Sequence, residues 1–413
     1  MSNTPGLPSR RAALRLLDAV LRRGETLDMA DRSAMGGVPG AADRGLARAI
    51  AGETLRWLTD LDALIDSATR QNLAPDSKAR MVLRLMLAQW LRLDTPAHAV
   101  VGTGLPLLTG GPRRLAHGVF GALVRGHAAL PPVPTLPAEV AARWGARAEA
   151  IAAGMASPPP LDLALRNWDD TERLAAELGG RSLAAGHLRL PRGAPVDSLP
   201  GYEDGGWWVQ DLAATLPARL LGQGEGRDVL DLCAAPGGKT LQLAAAGWQV
   251  TALDISEKRL ALVRDNLART GLEARIIAAD ALEWQADRRF DAILIDAPCT
   301  ATGTLRRHPD VIHRIGAGQI DAMVDLQRRM LERAAGWLAP GGRLVYAVCS
   351  LERAEGEGQA SAPPAGLAAD PVSAAELPAG LQPTSEGWVR TDPGMLPDEG
   401  GLDGFFIARW QAG

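Results

Sequence analysis

Three cysteines occur in 413 residues, and two of them stand where chemistry is done. Cys299 closes Asp296-Ala297-Pro298-Cys299 and Cys349 closes Tyr346-Ala347-Val348-Cys349, each at the end of an apolar run that reads as a strand. A lone free cysteine is usually buried and inert, but two at parallel strand ends point to a nucleophilic thiol. The third, Cys233, lies in Val229-Leu230-Asp231-Leu232-Cys233-Ala234-Ala235-Pro236-Gly237-Gly238-Lys239-Thr240, where an apolar run breaks into a Gly-rich turn and a helix begins. A strand, a turn and a helix N-terminus place free backbone amides and a positive dipole end beside a strand's carboxyl end, where small ligands bind. The position five residues before Gly238 is Cys233, so the Gly-Lys-Thr ending is no P-loop, and Ala235-Pro236-Gly237-Gly238 lacks the dinucleotide fingerprint. What remains is a nucleoside without phosphates. Asp254, ending the next apolar run, can accept both ribose hydroxyls, and S-adenosylmethionine meets both requirements. Asp280 and Asp296 also follow apolar runs, so the three carboxylates are expected to line one crevice.

The segments Leu230–Thr240, Asp296–Cys299 and Tyr346–Ser350 together resemble the signature motifs of RNA 5-methylcytosine methyltransferases. Over nearly the whole chain the resemblance is to the Sun-type ribosomal RNA small-subunit methyltransferase B family, which joins a NusB-like helical domain to this catalytic domain. It implies that Cys233, Ala234, Ala235, Pro236, Gly237, Gly238 and Lys239 hold the methionine side of S-adenosylmethionine, Asp254 the ribose and Asp280 the adenine amine. Asp296, counted with the cofactor shell, would lie on the crevice floor and hold or protonate the pyrimidine at N3, with Lys239 near the same ring. Cys349 would be the nucleophile and Cys299 the thiol that assists product release. Enzymes that methylate exocyclic amines typically carry Asn/Asp-Pro-Pro-aromatic after the fourth strand, and a thiol there points to carbon instead. Cytosine C5 is barely nucleophilic until a thiolate adds to C6. The sequence departs from the family pattern at Val348 (usually Thr), at Thr300 (usually Ser) and along Leu351–Gly356, where a Pro-Glu-Glu-Asn run is usual.

These residues need a scaffold, and hydrophobic periodicity supplies its outline. Ser9 to about Gly126 has apolar residues at three- and four-residue spacing, as in Ala13–Leu21, Asp43–Trp57, Met81–Leu87 and Val119–Arg125, and reads as an all-α bundle. A Pro-rich linker is expected over 128–137, and the resemblance implies a NusB-like domain over 1–127 before it, a small RNA-contacting subdomain over 138–205 and a Rossmann-like methyltransferase domain over 206–413. Strands are predicted at Asp228–Leu232, Gln249–Leu253, Arg275–Ala279, Ala292–Ile295, Leu344–Val348 and Gly404–Trp410, and helices at Lys258–Leu267 and Gln327–Leu338. Together these give a parallel, doubly wound sheet. Trp207 and Trp208 are expected to pack, Gly356–Pro364 to form a loose surface loop, and Arg306–Asp310 to offer a phosphate-binding edge.

Composition bounds the rest. No apolar run reaches 18 residues and Met1–Arg11 has no leader-like apolar core, so neither a membrane protein nor a secreted one is expected. Three cysteines make no paired framework, which implies a reducing compartment, the cytoplasm. Residues 1–130 hold 17 Lys/Arg against 11 Asp/Glu within a chain of net charge −4, which favours RNA as partner of that part rather than general nucleic-acid affinity. No DNA partner and no metal are expected, and the chain is read as a monomer. The alternatives are the same chemistry on transfer RNA, and a non-catalytic NusB-like RNA-binding factor.

Overall fold

The computed structural model describes residues 5–193 and 195–413, and the chain divides into two compact units, residues 1–157 with 305–315 and residues 158–304 with 316–413. The leader reading over Met1–Arg11 thus lies partly outside the described residues, as does Ala194 within the expected 138–205 segment.

The first unit is helical. In α1 (Leu7–Arg23), Leu16, Leu17 and Val20 turn inward at helical spacing, and the helix stops at Gly24, whose φ of +68° suits glycine. α2 (Leu27–Ala34) begins at Thr26, whose hydroxyl accepts from the Met29 amide. α3 (Ala41–Arg56) and α4 (Leu58–Ser67) meet at the buried Trp57. α5 (Lys78–Arg92), capped by Ser77, is buried from Ala79 to Gln89 and forms the centre of the unit. α6 (Ala97–Gly104) and α7 (Gly110–Arg125) pack on it through Val100, Val119 and Phe120. Each fully buried leucine of this core contributes about 1.5–3 kcal/mol.

The Pro-rich stretch is not a free spacer. The Thr135 amide donates to Asp60 at 2.9 Å, Leu136 is buried, and Leu130 packs on the helical core. α8 (Ala138–Trp144) and α9 (Ala148–Met155) continue the same unit, so the division falls after Ser157 and not at 128–137. Proline excludes helix and central strand, but it does not stop flanking leucines from anchoring the chain.

The second unit opens with β1 (Leu161–Leu165), α10 (Thr171–Leu178), β2 (His187–Leu190) and β3 (Trp207–Val209), an antiparallel sheet in the order β2-β1-β3. β3 pairs with β1, with Ala164 opposite Trp208, so these tryptophans belong to the small sheet; both are buried, as packing requires. The Asp162 carboxylate receives two 2.7 Å bonds from Arg189 and one from the Leu212 amide, while Arg189 also donates to the Gly401 carbonyl. Burial opposes that charge, but Arg189 and His187 outweigh it and hold the carboxyl below its ordinary range.

The large sheet then builds in alternation: α11 (Leu212–Arg219), β4 (Asp228–Leu232), α12 (Gly238–Ala245), β5 (Gln249–Asp254), α13 (Glu257–Thr270), β6 (Arg275–Ala278) and β7 (Phe290–Asp296). Between β7 and the next long helix, Leu305–Ile315 belongs to the first unit and carries α14 (Val311–Arg314). α15 (Ala317–Ala335), β8 (Leu338–Val348), α16 (Glu357–Ala360), β9 (Leu367–Ala369), β10 (Val389–Thr391) and β11 (Phe405–Ala412) complete the chain. The order is β10-β11-β8-β7-β4-β5-β6, with β9 also on β11. β6, β5, β4, β7 and β8 are parallel, while β11, β10 and β9 form an antiparallel edge outside the all-parallel expectation. One face buries Leu212, Leu216 and Leu243 from α11 and α12, and the other buries Met330, Leu331 and Ala334 from α15. α15 starts ten residues before the predicted helix, and Leu338 is the first residue of β8. The strand order reverses between β4 and β7, so the crevice for a ligand lies at their carboxyl ends.

Candidate active site

β4 ends at Leu232, and Cys233 turns the chain with a φ of +62° before Gly237 takes +111°. A Cβ on Gly237 would stand 3.3 Å from the Val263 backbone, so the turn lies directly on α13. That helix also grips it by side chains, Arg259 donating to the Ala235 carbonyl and Asn266 to that of Pro236. The Ala234 amide bonds to the Leu253 carbonyl and the Ala235 amide to Asp254 at 3.2 Å. α12 starts at Gly238 with no side-chain cap, which leaves its first amides for a ligand.

Asp231, inside β4, was given no role from the sequence. Its carboxyl is completely buried; one oxygen accepts from the Thr240 hydroxyl at 2.6 Å and the other has no partner among the described residues. Burial pushes it up to about 7, helped by Asp296 and Asp254 and opposed by Thr240 and Lys239. An acidic residue in an otherwise apolar strand was the available signal. Uncapped amides, the glycine turn and the orphaned oxygen form a donor and acceptor set that fits a nucleoside carrying an amino-acid tail.

Lys239 donates to Asp296 at 2.7 Å and lies 5.2 Å from the Phe405 ring centre. Burial pulls the ammonium down, but Asp296 outweighs it and Cys349 adds to the effect, so the proton is held above the ordinary lysine range. Asp254 is buried, accepts from the Ser256 amide at 2.8 Å, and has Arg259 at 3.6 Å. Asp280 accepts from the Leu282 amide at 2.8 Å on the sheet's edge side. Both carboxylates therefore cap their own turns, and each oxygen keeps lone pairs for a ligand. Asp231, Cys233, Lys239, Asp254 and Asp296 feel one another electrostatically. Asp280 is tied to this group through β6, which pairs with β5, and through the Ala279 amide, which donates to the Asp254 carbonyl at 3.1 Å. The Cys233 thiol is pushed up by burial and these carboxylates, which suits a turn residue better than a nucleophile.

The other two thiols meet: Cys299 Sγ lies 3.5 Å from Cys349 Sγ. The hydrogen bond to Cys349, then burial, pushes the Cys299 thiol well above its ordinary value. β7 and β8 are neighbours in register, with Asp296 opposite Ala347, which is why residues 50 apart converge. The segment after Ser350 is not a loose loop. Glu355 and Gln359 are buried, α16 forms, and a Cβ on Gly356 would strike Phe406. In Arg306–Asp310, Arg306 is fully buried with its carbonyl receiving Arg56 at 2.9 Å, and Asp310 binds Arg314 at 2.9 Å, so only Arg307 and His308 of the expected phosphate edge are partly exposed.

A doubly wound sheet with this turn, crevice and antiparallel edge defines an S-adenosylmethionine-dependent methyltransferase, here joined to an all-α unit. The 16S rRNA methyltransferase RsmB/F family matches residues 218–411 and the NusB family residues 7–106. The chain is 34% identical to a ribosomal RNA small subunit methyltransferase B from Xanthomonas campestris, over 86% of this chain and 87% of that one. It is also 34% identical to the protein of that name from Pseudomonas syringae, over 97% and 96%. A methyltransferase homologue from Pyrococcus horikoshii superposes with a TM-score of 0.56 at 28% identity, covering 66% of this chain and 94% of that one. The chain therefore belongs to the ribosomal RNA small-subunit methyltransferase B family and is an RNA methyltransferase. Among the described residues no helix is long and apolar enough to cross a membrane.

Proposed function

We propose that this enzyme methylates C5 of a cytosine in small-subunit ribosomal RNA, with Cys349 as nucleophile. The observation that carries the reading is the thiol pair, 3.5 Å apart at the ends of adjacent parallel strands, with Lys239 and Asp296 beside it. A base can reach this crevice only by leaving its stack. Cys349, which feels the Lys239 ammonium, can add as thiolate to C6, forming the S–C6 bond and placing electron density at C5. Asp296 holds the ring at N3 and Lys239 fixes Asp296. The turn from Cys233 to Lys239 together with Asp254 and Asp280 would hold S-adenosylmethionine, which when bound would supply the methyl group for C5 and leave as the neutral thioether. Water reaching the crevice then takes the C5 proton, the S–C6 bond breaks and Cys349 returns to thiolate, while the protonated Cys299, 3.5 Å away, assists release by hydrogen-bonding to the departing sulfur.

The two thiols can be tested against each other. Cys349→Ala is expected to abolish methyl transfer while S-adenosylmethionine still binds. Cys299→Ala is expected to methylate but stall, leaving protein joined to RNA as a shifted band on a denaturing gel. A shifted band with Cys349→Ala alone would reverse the roles. Bisulfite sequencing of ribosomal and transfer RNA from a deletion strain reads the substrate; a lost site in transfer RNA only would overturn the ribosomal assignment.

A further inference from the structure

Glu355 lies six residues beyond Cys349, in the stretch that departs from the family pattern, and it is completely buried. Its carboxylate accepts from the Thr300 amide at 2.9 Å, the Thr300 hydroxyl, the Ser350 hydroxyl and the Gln327 amide group at 3.0 Å. No lysine or arginine pairs with it among the described residues, so four donors alone hold a buried carboxylate. Thr300 directly follows Cys299, Ser350 directly follows Cys349, and Gln327 also donates to the carbonyl of Pro298, directly before Cys299, at 2.9 Å. The Ser350 hydroxyl further receives the Glu352 amide and meets Thr302, and the Tyr346 hydroxyl donates to the Glu355 carbonyl at 2.7 Å. A single side chain thus clamps both cysteine-bearing loops.

We infer that Glu355 is a positioning residue that makes the two thiols unequal: it fixes their separation and sets a buried carboxylate against the Cys299 loop. The asymmetry follows from placement. Three of its four donors, the Thr300 amide, the Thr300 hydroxyl and Gln327, belong to or hold the Cys299 loop, and only the Ser350 hydroxyl comes from the Cys349 loop. The carboxylate therefore adds to Cys349 and burial in raising the Cys299 thiol, while Lys239, paired with Asp296, acts on Cys349. Negative charge beside one thiol and positive charge beside the other bias a shared proton in one direction. This rests on the thiol roles proposed above, but the charge effect is measurable without RNA.

The test is alkylation of the full-length protein by iodoacetamide across pH 6–10, with each cysteine followed by mass spectrometry, in wild type, Glu355→Gln and Thr300→Val. Glutamine keeps the shape and removes the charge. In Glu355→Gln the expected result is roughly tenfold faster labelling of Cys299 near neutral pH, as its thiolate becomes accessible at lower pH, and loss of the preference for Cys349. The same variant should lose roughly 10- to 100-fold in kcat with KM for RNA unchanged. Thr300→Val, which keeps the charge and loosens the clamp, should lower kcat while the labelling preference stays. An unchanged labelling ratio and pH profile in folded Glu355→Gln overturns the inference. So does a parallel loss of S-adenosylmethionine affinity, which would make Glu355 a general support of the fold. If the labelling shifts as expected yet neither protein methylates C5, the inference stands and the cytosine reading falls.

Discussion

In the helical unit Arg56, Arg80 and Arg84 are almost completely buried, and each is met in full: Arg56 by Glu53 and two carbonyls, Arg80 by Asp62 and Asp66, Arg84 by Asp62 at 2.7 Å. At the switch point of the large sheet, Asp231 is just as buried and has one oxygen unmatched among the described residues, α12 begins without a side-chain cap, and a thiol pair shares one hydrogen bond. The same kind of group closes a structure in one place and holds a site ready in the other. A buried polar group left incompletely paired costs stability, and such costs concentrate where function requires them.

The contrast predicts which substitutions act on folding and which on turnover. The largest effect is expected from Arg56→Met, which removes one of the two arginines on Glu53, leaving Arg92, and strips the donor from two buried carbonyls, and should cost about 3–5 kcal/mol of stability. Denaturant unfolding measures it; a loss below about 1 kcal/mol would show that the network is ornamental. Lys239→Met should do the reverse, lowering kcat/KM by roughly a hundredfold, about 3 kcal/mol, with little change in melting. A large melting shift at unchanged turnover would place Lys239 with the structural charges.

Asp231→Asn sharpens the same line through pH. The folded carboxyl at about 7 lies above its unfolded value, so its stabilising contribution is full below the unfolded value and lost as pH rises towards 7. Wild type should therefore lose about 2 kcal/mol relative to Asp231→Asn between pH 5 and 8. Parallel stability curves for the two proteins would refute it. The smallest effect is expected from Asp254→Ala, a roughly tenfold weaker S-adenosylmethionine affinity by calorimetry, about 1.4 kcal/mol, with turnover at saturation retained. Unchanged affinity would remove Asp254 from the site.

What the sequence made legible is what repeats. β4 matched its predicted limits, β5 through β8 and β11 were found by their apolar runs, and the strand ends placed Cys299 and Cys349 in one crevice. Asp231 and Glu355 were missed because their importance comes from burial and partners distant in sequence: Glu355 is 55 residues from Thr300. The 128–137 boundary failed because proline content reports backbone conformation, whereas a domain division depends on where Leu130 and Leu136 find contacts.

The 305–315 segment carries a consequence for synthesis. Leu305–Ile315 completes the helical unit through the Arg306 carbonyl, Asp310 facing the Leu27 amide at 3.4 Å, and His313 on the Leu55 carbonyl at 2.7 Å. It is translated about 150 residues after Ser157. At roughly 5–20 residues per second, the nascent helical unit waits on the order of 10–30 s for its last piece, by which time β1 to β7 have left the ribosome. The helical unit is thus discontinuous in sequence, so production of the two as separate gene segments cut at Ser157 would leave the first without its closing strip and the second carrying eleven residues that belong to the first.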